Sequence, residues 1–320
     1  MNKKKWLIGV GGIGVEYAKV LKFLEIDFLA IGRGIESAKK FEEATGKQVI
    51  SGGLASFLAT CPKIPDAVIV AVDIESLYET AVDLLNYGVK KILLEKPGGC
   101  FPEQIFKLSE LAKQKDATVL LGYNRRFYSS VLKAREIIAQ DGGVVSFNFE
   151  FTEWAHSIEK LPRSKAVLEN WLIANSSHVI DTAFFIGGLP EKLSAFYGGN
   201  LTWHPRSSVF AGAGISKKGA FFSYHANWKA PGRWGIEVST EKHRLYFKPM
   251  ESLQIQDLGS VAINPVELDN ALDTQFKPGF FLQTKAFLNN NYTDFCDIEE
   301  QKQVLESCYI PMSGYHIEKH

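Results

Sequence analysis

The chain has little cysteine. Four occur in 320 residues (Cys61, Cys100, Cys296 and Cys308), and no two form a Cys-x-x-Cys pair. That spacing fits neither a structural zinc site nor a disulfide framework and points to reduced thiols in a cytoplasmic protein. Net charge is absent too. Thirty-six basic side chains balance 36 acidic ones, so nothing in the bulk charge suits a nucleic-acid partner. The short basic run Lys3-Lys4-Lys5 reads as a solvated terminus. No apolar run approaches the roughly 20 residues of a membrane span, and the N-terminus does not read as a signal peptide, since glycines interrupt its apolar stretch. Internal repeats and low-complexity linkers are missing as well, which suggests closely packed domains.

The composition that remains is that of a soluble globular protein, 46% hydrophobic and 22% charged, long enough for two domains. The first ~120 residues alternate between short apolar runs and helical periodicity. Strands are expected at 5–10, 28–31, 65–72, 92–94 and 118–121, and helices at 14–24, 35–44, 75–86 and 102–115. Strands buried on both faces and separated by helices mean a parallel, doubly wound sheet. After Tyr123 the rhythm changes. A helix is expected over 130–140, then a strand over 144–152 with Val145, Phe147, Phe149 and Phe151 on one face. An apolar helix follows over 171–186, then several strands between 193 and 255, and helices over 280–288 and 298–309. The predicted fold is α/β: a Rossmann domain over 1–122, then an α+β domain over 123–320 built on a large open, mostly antiparallel sheet.

Gly9-Val10-Gly11-Gly12-Ile13-Gly14 matches G-x-G-x-x-G between a strand and a helix. Such glycines permit a tight turn and close approach of backbone to a pyrophosphate, which the helix N-terminus attracts. Further on, the tip of the second strand reads Ile31-Gly32-Arg33-Gly34, where NAD-binding proteins usually carry an acid. Arg33 suits a 2′-phosphate, so NADP is expected over NAD, with Glu36 as the alternative ribose ligand. Glu95-Lys96-Pro97 ends another strand, at the edge where open α/β sheets bind ligands. A lysine there can hold a substrate oxygen. His178 and Asp181, three apart on a helix, share a face, so Asp181 could orient the imidazole for proton transfer. A metal pair lacks a third ligand nearby, and no metal is expected. The Tyr87/Lys91 spacing resembles that of short-chain dehydrogenases, but Gly88 breaks the helix it needs, and it reads as chance.

Together with Tyr123-Asn124-Arg125-Arg126-Phe127 and Ser177-His178-Val179-Ile180-Asp181, these motifs resemble the glucose–fructose oxidoreductase/inositol dehydrogenase (Gfo/Idh/MocA) family in order and rough spacing. The resemblance implies hydride transfer between NAD(P) and a hydroxyl or carbonyl carbon of a sugar or cyclitol. It implies Lys96 in the substrate's hydrogen-bonding network, His178 as acid/base, and association through the second domain's sheet into a homodimer or homotetramer. Two departures stand out. An aspartate that some members carry four residues before the histidine is here Ala174, leaving open whether Asp181 or Asn175 replaces it. The family's Thr-Pro after strand four is here Val72-Asp73, which changes the loop against the nicotinamide.

The cofactor-binding candidates are thus Gly9, Gly11, Gly12, Ile13, Gly14, Arg33, Val72, Glu95 and Lys96. The substrate candidates are Asn124, Arg125, Trp154, Trp171 and Asn175, drawn from a second half rich in aromatic and basic residues such as Trp203, His204, Trp228, Arg233 and Trp234. These suit stacking on sugars and binding of acidic groups. An acidic or nucleotide-linked sugar of surface-glycan biosynthesis is the alternative substrate. A non-catalytic dinucleotide sensor is the alternative class.

Overall fold

Apolar runs without alternation should be buried on both faces, and they form the first sheet. The structure is a computed structural model that describes residues 4–316; Lys3 of the basic run lies outside them. The strands are β1 (Lys5–Ile8), β2 (Phe28–Ile31), β3 (Val49–Ile50), β4 (Val68–Val70), β5 (Lys91–Leu94) and β6 (Thr118–Leu121). They pair in parallel in the order β6-β5-β4-β1-β2-β3. This is the doubly wound order, and the chain reverses direction across the sheet between β1 and β4. Leu7, Val68, Val70, Ile92, Leu93 and Leu94 are fully buried in the sheet. Helices Gly12–Phe23, Ile35–Thr45, Ile74–Tyr87 and Pro102–Gln114 connect the strands.

A later segment returns to this sheet. Cys296–Asp297 pairs antiparallel with β6. Helix Phe280–Leu288 brings Phe280 to 4.7 Å from Tyr17, ring centre to ring centre, and Phe281 to 5.7 Å from Phe23. By packing, the chain falls into two compact units. One unit holds the chain through Asn124 together with Leu272–Lys302, and the other holds Arg125–Ala271 and the chain from Gln303 onward.

The second unit is built on β7 (Ser146–Glu150), β8 (Pro190–Gly198), β9 (Val209–Ser216), β10 (Phe221–Asn227), β11 (Gly235–Ser239), β12 (His243–Phe247), β13 (Gln254–Asp257) and β14 (Asn264–Pro265). Their order is β14-β13-β12-β11-β7-β10-β9-β8, antiparallel except for the β7–β10 pair. Alternation decides the faces. Phe147 and Phe149 on β7, and Phe222 and Tyr224 on β10, are buried, whereas Phe221, Ser223 and His225 face out. Val145, assigned by pattern to the buried row, precedes the strand and is 49% exposed. Helix Ser177–Gly187 lies on the buried face, with Phe184 5.4 Å from Phe149 and 5.1 Å from Phe222 between ring centres. The preceding turn, Leu172–Ser176, is π-helical, so the apolar run over 171–186 is not one regular helix.

Candidate active site

In the first unit the site candidates cluster at one edge of the sheet. The glycine turn leaves β1 with Gly9 at φ 102°, and a Cβ there would lie 2.3 Å from the Ala71 carbonyl oxygen. A Cβ on Gly14 would lie 2.1 Å from the Gly9 carbonyl oxygen. Both glycines are therefore fixed by packing. Gly11 and Gly12 differ: a Cβ on either would meet nothing within 4 Å, so their surface is open to a ligand. Helix Gly12–Phe23 begins here, and Gly11 offers no capping side chain. The N–H groups of Gly12, Ile13 and Gly14 have no partner within the helix, as at any helix start. An open backbone with outward donors at the positive end of a helix dipole fits a dinucleotide pyrophosphate.

The neighbouring strand ends complete this edge. Gly32 follows β2, and its Cβ would press to 2.5 Å on Val10. Arg33 after it is exposed, and the first acid, Glu36, lies in the first turn of helix Ile35–Thr45. Val72 is half-buried just beyond β4. After β5 the chain turns sharply: the Lys96–Pro97 peptide is cis, and the Gly98 N–H donates to the Glu95 carbonyl at 3.1 Å. Fully buried Gln301 holds the turn, its Nε2 donating to the Pro97 carbonyl at 3.2 Å and pairing with the Tyr123 hydroxyl. Lys96 is half-buried at this turn. The Glu95 carboxylate accepts from the Tyr17 hydroxyl at 2.7 Å. Burial pushes its pKa up, against the lowering effects of Tyr17, Lys96 and Lys277. Glu95 thus braces the turn that presents Lys96. Asn124 donates to the Pro278 carbonyl at 2.9 Å.

The second unit gathers another set. Glu153, just beyond β7, is 2% exposed. It accepts from Asn175 Nδ2 at 2.9 Å and Ser176 Oγ at 2.8 Å, and Arg233 lies 3.6 Å away. Burial raises its pKa despite these partners. The π-helical turn delivers Asn175 and Ser176 to it, and His178 follows in the same helical run. The His178 ring centre is 6.2 Å from that of Trp234. The Arg233 guanidinium lies 4.9 Å from Trp154 and 4.7 Å from Trp234, and that of Arg125 lies 4.8 Å from Trp234.

Two of the candidates have strong partners of their own. Asp181 forms a bidentate pair with Arg126, with contacts of 2.6, 2.9 and 3.2 Å, and both side chains are buried. Trp171 is 7% exposed and meets Trp203 edge-on at 6.2 Å, inside an aromatic core that includes Trp228 and His204. Trp154, by contrast, is half exposed. Glu153 was not singled out from the sequence. The available signal was a carboxylate at a strand end beside Trp154, which gains meaning only once Asn175 and Arg233 converge on it. Among the described residues no cluster of potential metal ligands occurs, and no helix is long and apolar enough to cross a membrane.

Comparison with known proteins adds a family match for the N-terminal stretch and a fold for the whole chain. Residues 4–123 match the model of an oxidoreductase family with an NAD-binding Rossmann fold. No curated protein matches the chain. UDP-N-acetylglucosamine 3-dehydrogenase GnnA from Acidithiobacillus ferrooxidans superposes over 98% of this chain and 99% of its own, with a TM-score of 0.74 at 16% identity. A dehydrogenase (MviM) from Clostridium difficile covers 96% of this chain and 97% of its own, with a TM-score of 0.75 at 18% identity. Levoglucosan dehydrogenase, solved with NADH and L-sorbose, covers 98% of each chain, with a TM-score of 0.77 at 17% identity. At these identities the likeness is one of fold.

Proposed function

We propose, from the match of residues 4–123 to the model of the Gfo/Idh/MocA oxidoreductase family, that the chain is a nicotinamide-dependent dehydrogenase or reductase of a sugar-like small molecule. The observation that carries this reading is the glycine turn, sealed by packing at Gly9 and Gly14 and open at Gly11 and Gly12. When bound, the nicotinamide supplies the hydride acceptor or donor. Gly11, Gly12, Ile13 and Gly14 hold the pyrophosphate, and Val72 and Glu95 line the same sheet edge. Lys96 holds the reacting oxygen of the substrate and stabilises charge that develops on it. His178 exchanges the hydroxyl proton. Arg125, Trp154 and Asn175 face the sugar.

Lys96→Met should abolish turnover while cofactor affinity, measured by fluorescence of the reduced nicotinamide, stays nearly unchanged. His178→Asn should be as severe, and the double variant little worse than either, because groups serving one step do not add. Near-full activity of Lys96→Met would remove the assignment.

The cofactor reading extends to NADP over NAD. Exposed Arg33, with no acid from Gly32 to Gly34, can pair with a 2′-phosphate. Arg33→Ala should weaken NADP binding about tenfold, the scale of one charge-assisted contact, and leave NAD binding nearly constant. Equal affinity of the parent protein for both cofactors counts against it. The outward face of β8–β10 serves to join copies of the chain.

A further inference from the structure

The second unit holds an uneven set of charges beside His178. Arg125 is half-buried, and its Nε is fully enclosed without a hydrogen-bond partner. Among the described residues of its own unit no carboxylate forms an ion pair with it. Trp234, on which it lies, is 6% exposed, and its indole Nε1–H is likewise enclosed without an acceptor. Arg233 reaches the same indole at 4.7 Å, so two guanidinium groups share one ring. A single buried carboxylate, Glu153, stands against them, and Asn175 and Ser176 already occupy it. Burial of the Arg125 guanidinium, with Arg233 adding repulsion, lowers its pKa even with Glu251 and Glu153 in range.

Enclosed cations and N–H donors are costly when unmatched, and here both orphaned groups are donors. What this corner lacks is a second acceptor bearing negative charge, free to meet Arg125 and the indole. We propose that Arg125, Arg233 and the Trp234 indole form a seat for an oxyanion substituent, a carboxylate or a phosphate, on the sugar-like substrate. Arginine suits such a group because its fork matches the planar or tetrahedral oxygens. Half-exposed Trp154, 4.9 Å from Arg233, offers a face for the sugar ring. The 6.2 Å between the Trp234 and His178 rings puts the seat within a sugar's length of the proposed proton-transfer group. The inference rests on the sugar-oxidoreductase reading and narrows its substrate to an acidic sugar.

The test uses the full chain saturated with oxidised cofactor and follows tryptophan fluorescence. D-Glucose, D-glucuronate, D-glucose 6-phosphate and UDP-glucose are titrated in turn. At least one anionic member should bind tenfold or more tightly than glucose, and which one does so separates carboxylate, monophosphate and diphosphate sources. Arg125→Gln should bring that ratio close to one. Arg233→Gln, at a position whose side chain is 47% exposed, should lower it as well. Equal binding of glucose and every anionic member overturns the seat alone, as does an anion preference untouched by either variant. Failure of all four sugars to bind, with cofactor binding intact, removes the sugar reading together with the seat.

Discussion

His204 is fully enclosed and donates from Nδ1 to the Ser207 carbonyl at 2.7 Å, packed 4.9 Å from the Trp228 ring. A carbonyl only accepts, so a proton sits on Nδ1. Burial pushes its pKa from the ordinary 6.5 down to about 4. In the unfolded chain the imidazole takes its proton near pH 6.5, while the folded one resists until about pH 4. The unfolded state therefore binds more protons across that window, and folding stability falls as pH drops, by about 1.4 kcal/mol per pH unit and about 3 kcal/mol in all. Urea titrations at pH 7 and pH 5 should show about 2 kcal/mol of this loss, and His204→Phe should flatten it. An unchanged slope in the variant would assign the acid sensitivity elsewhere. A contrast of local and distant partners sorts the candidate site residues. Gly14, Lys96 and His178 announce themselves because their motifs are local in sequence. Glu153 does not, because its partners Asn175, Ser176 and Arg233 are 22 to 80 positions away.

The glycines of the cofactor turn play two parts, and substitution separates them. Gly14→Ala forces a Cβ to 2.1 Å from a backbone oxygen that no rotamer change can move. It should cost about 1–3 kcal/mol, as overpacking does, lower the melting temperature and weaken cofactor binding together. Gly12→Ala places its Cβ in open space at a helical position. It should fold at least as stably, since alanine favours helix by about 1 kcal/mol over glycine, yet bind cofactor less well because the methyl group stands where the pyrophosphate approaches. Equal effects of the two on stability would contradict this division. Elements with a strong period were legible in this way. Phe28–Ile31, Thr118–Leu121 and Phe280–Leu288 lie where apolar periodicity placed them. The two-residue β3 and helix Gly53–Ala59 were not, since so short a run shows no period and Gly52-Gly53 reads as loop. Nor could a helical period show the π turn at Leu172–Ser176, which sets Asn175 and Ser176 against Glu153.

At the scale of the whole chain, sequence order and packing diverge. Helix Phe280–Leu288 is apolar enough to demand a buried partner, but nothing in its pattern names Tyr17 and Phe23, more than 250 residues earlier, as that partner. The second unit's sheet poses the converse problem, a face that no described residue of the chain covers. On β8, β9 and β10 the outward rows align Lys192 with Ile215 and Phe221, Ser194 with Ala213 and Ser223, and Phe196 with Ala211 and His225. Phe196 is 68% exposed, Phe221 64% and Val209 41%. Exposed aromatic rings beside small residues on a sheet face form an apolar surface of the kind that marks protein–protein contact. A second copy of the chain offers the matching surface under two-fold symmetry. Light scattering at micromolar concentration should then give a mass that is a multiple of 35.7 kDa. Phe196→Asp should lower it to the single-chain value. Since that side chain is largely exposed, its replacement should cost the fold itself within about 0.5 kcal/mol. A parent protein that is already monomeric, or a variant that assembles as the parent does, would leave the sheet face without this role.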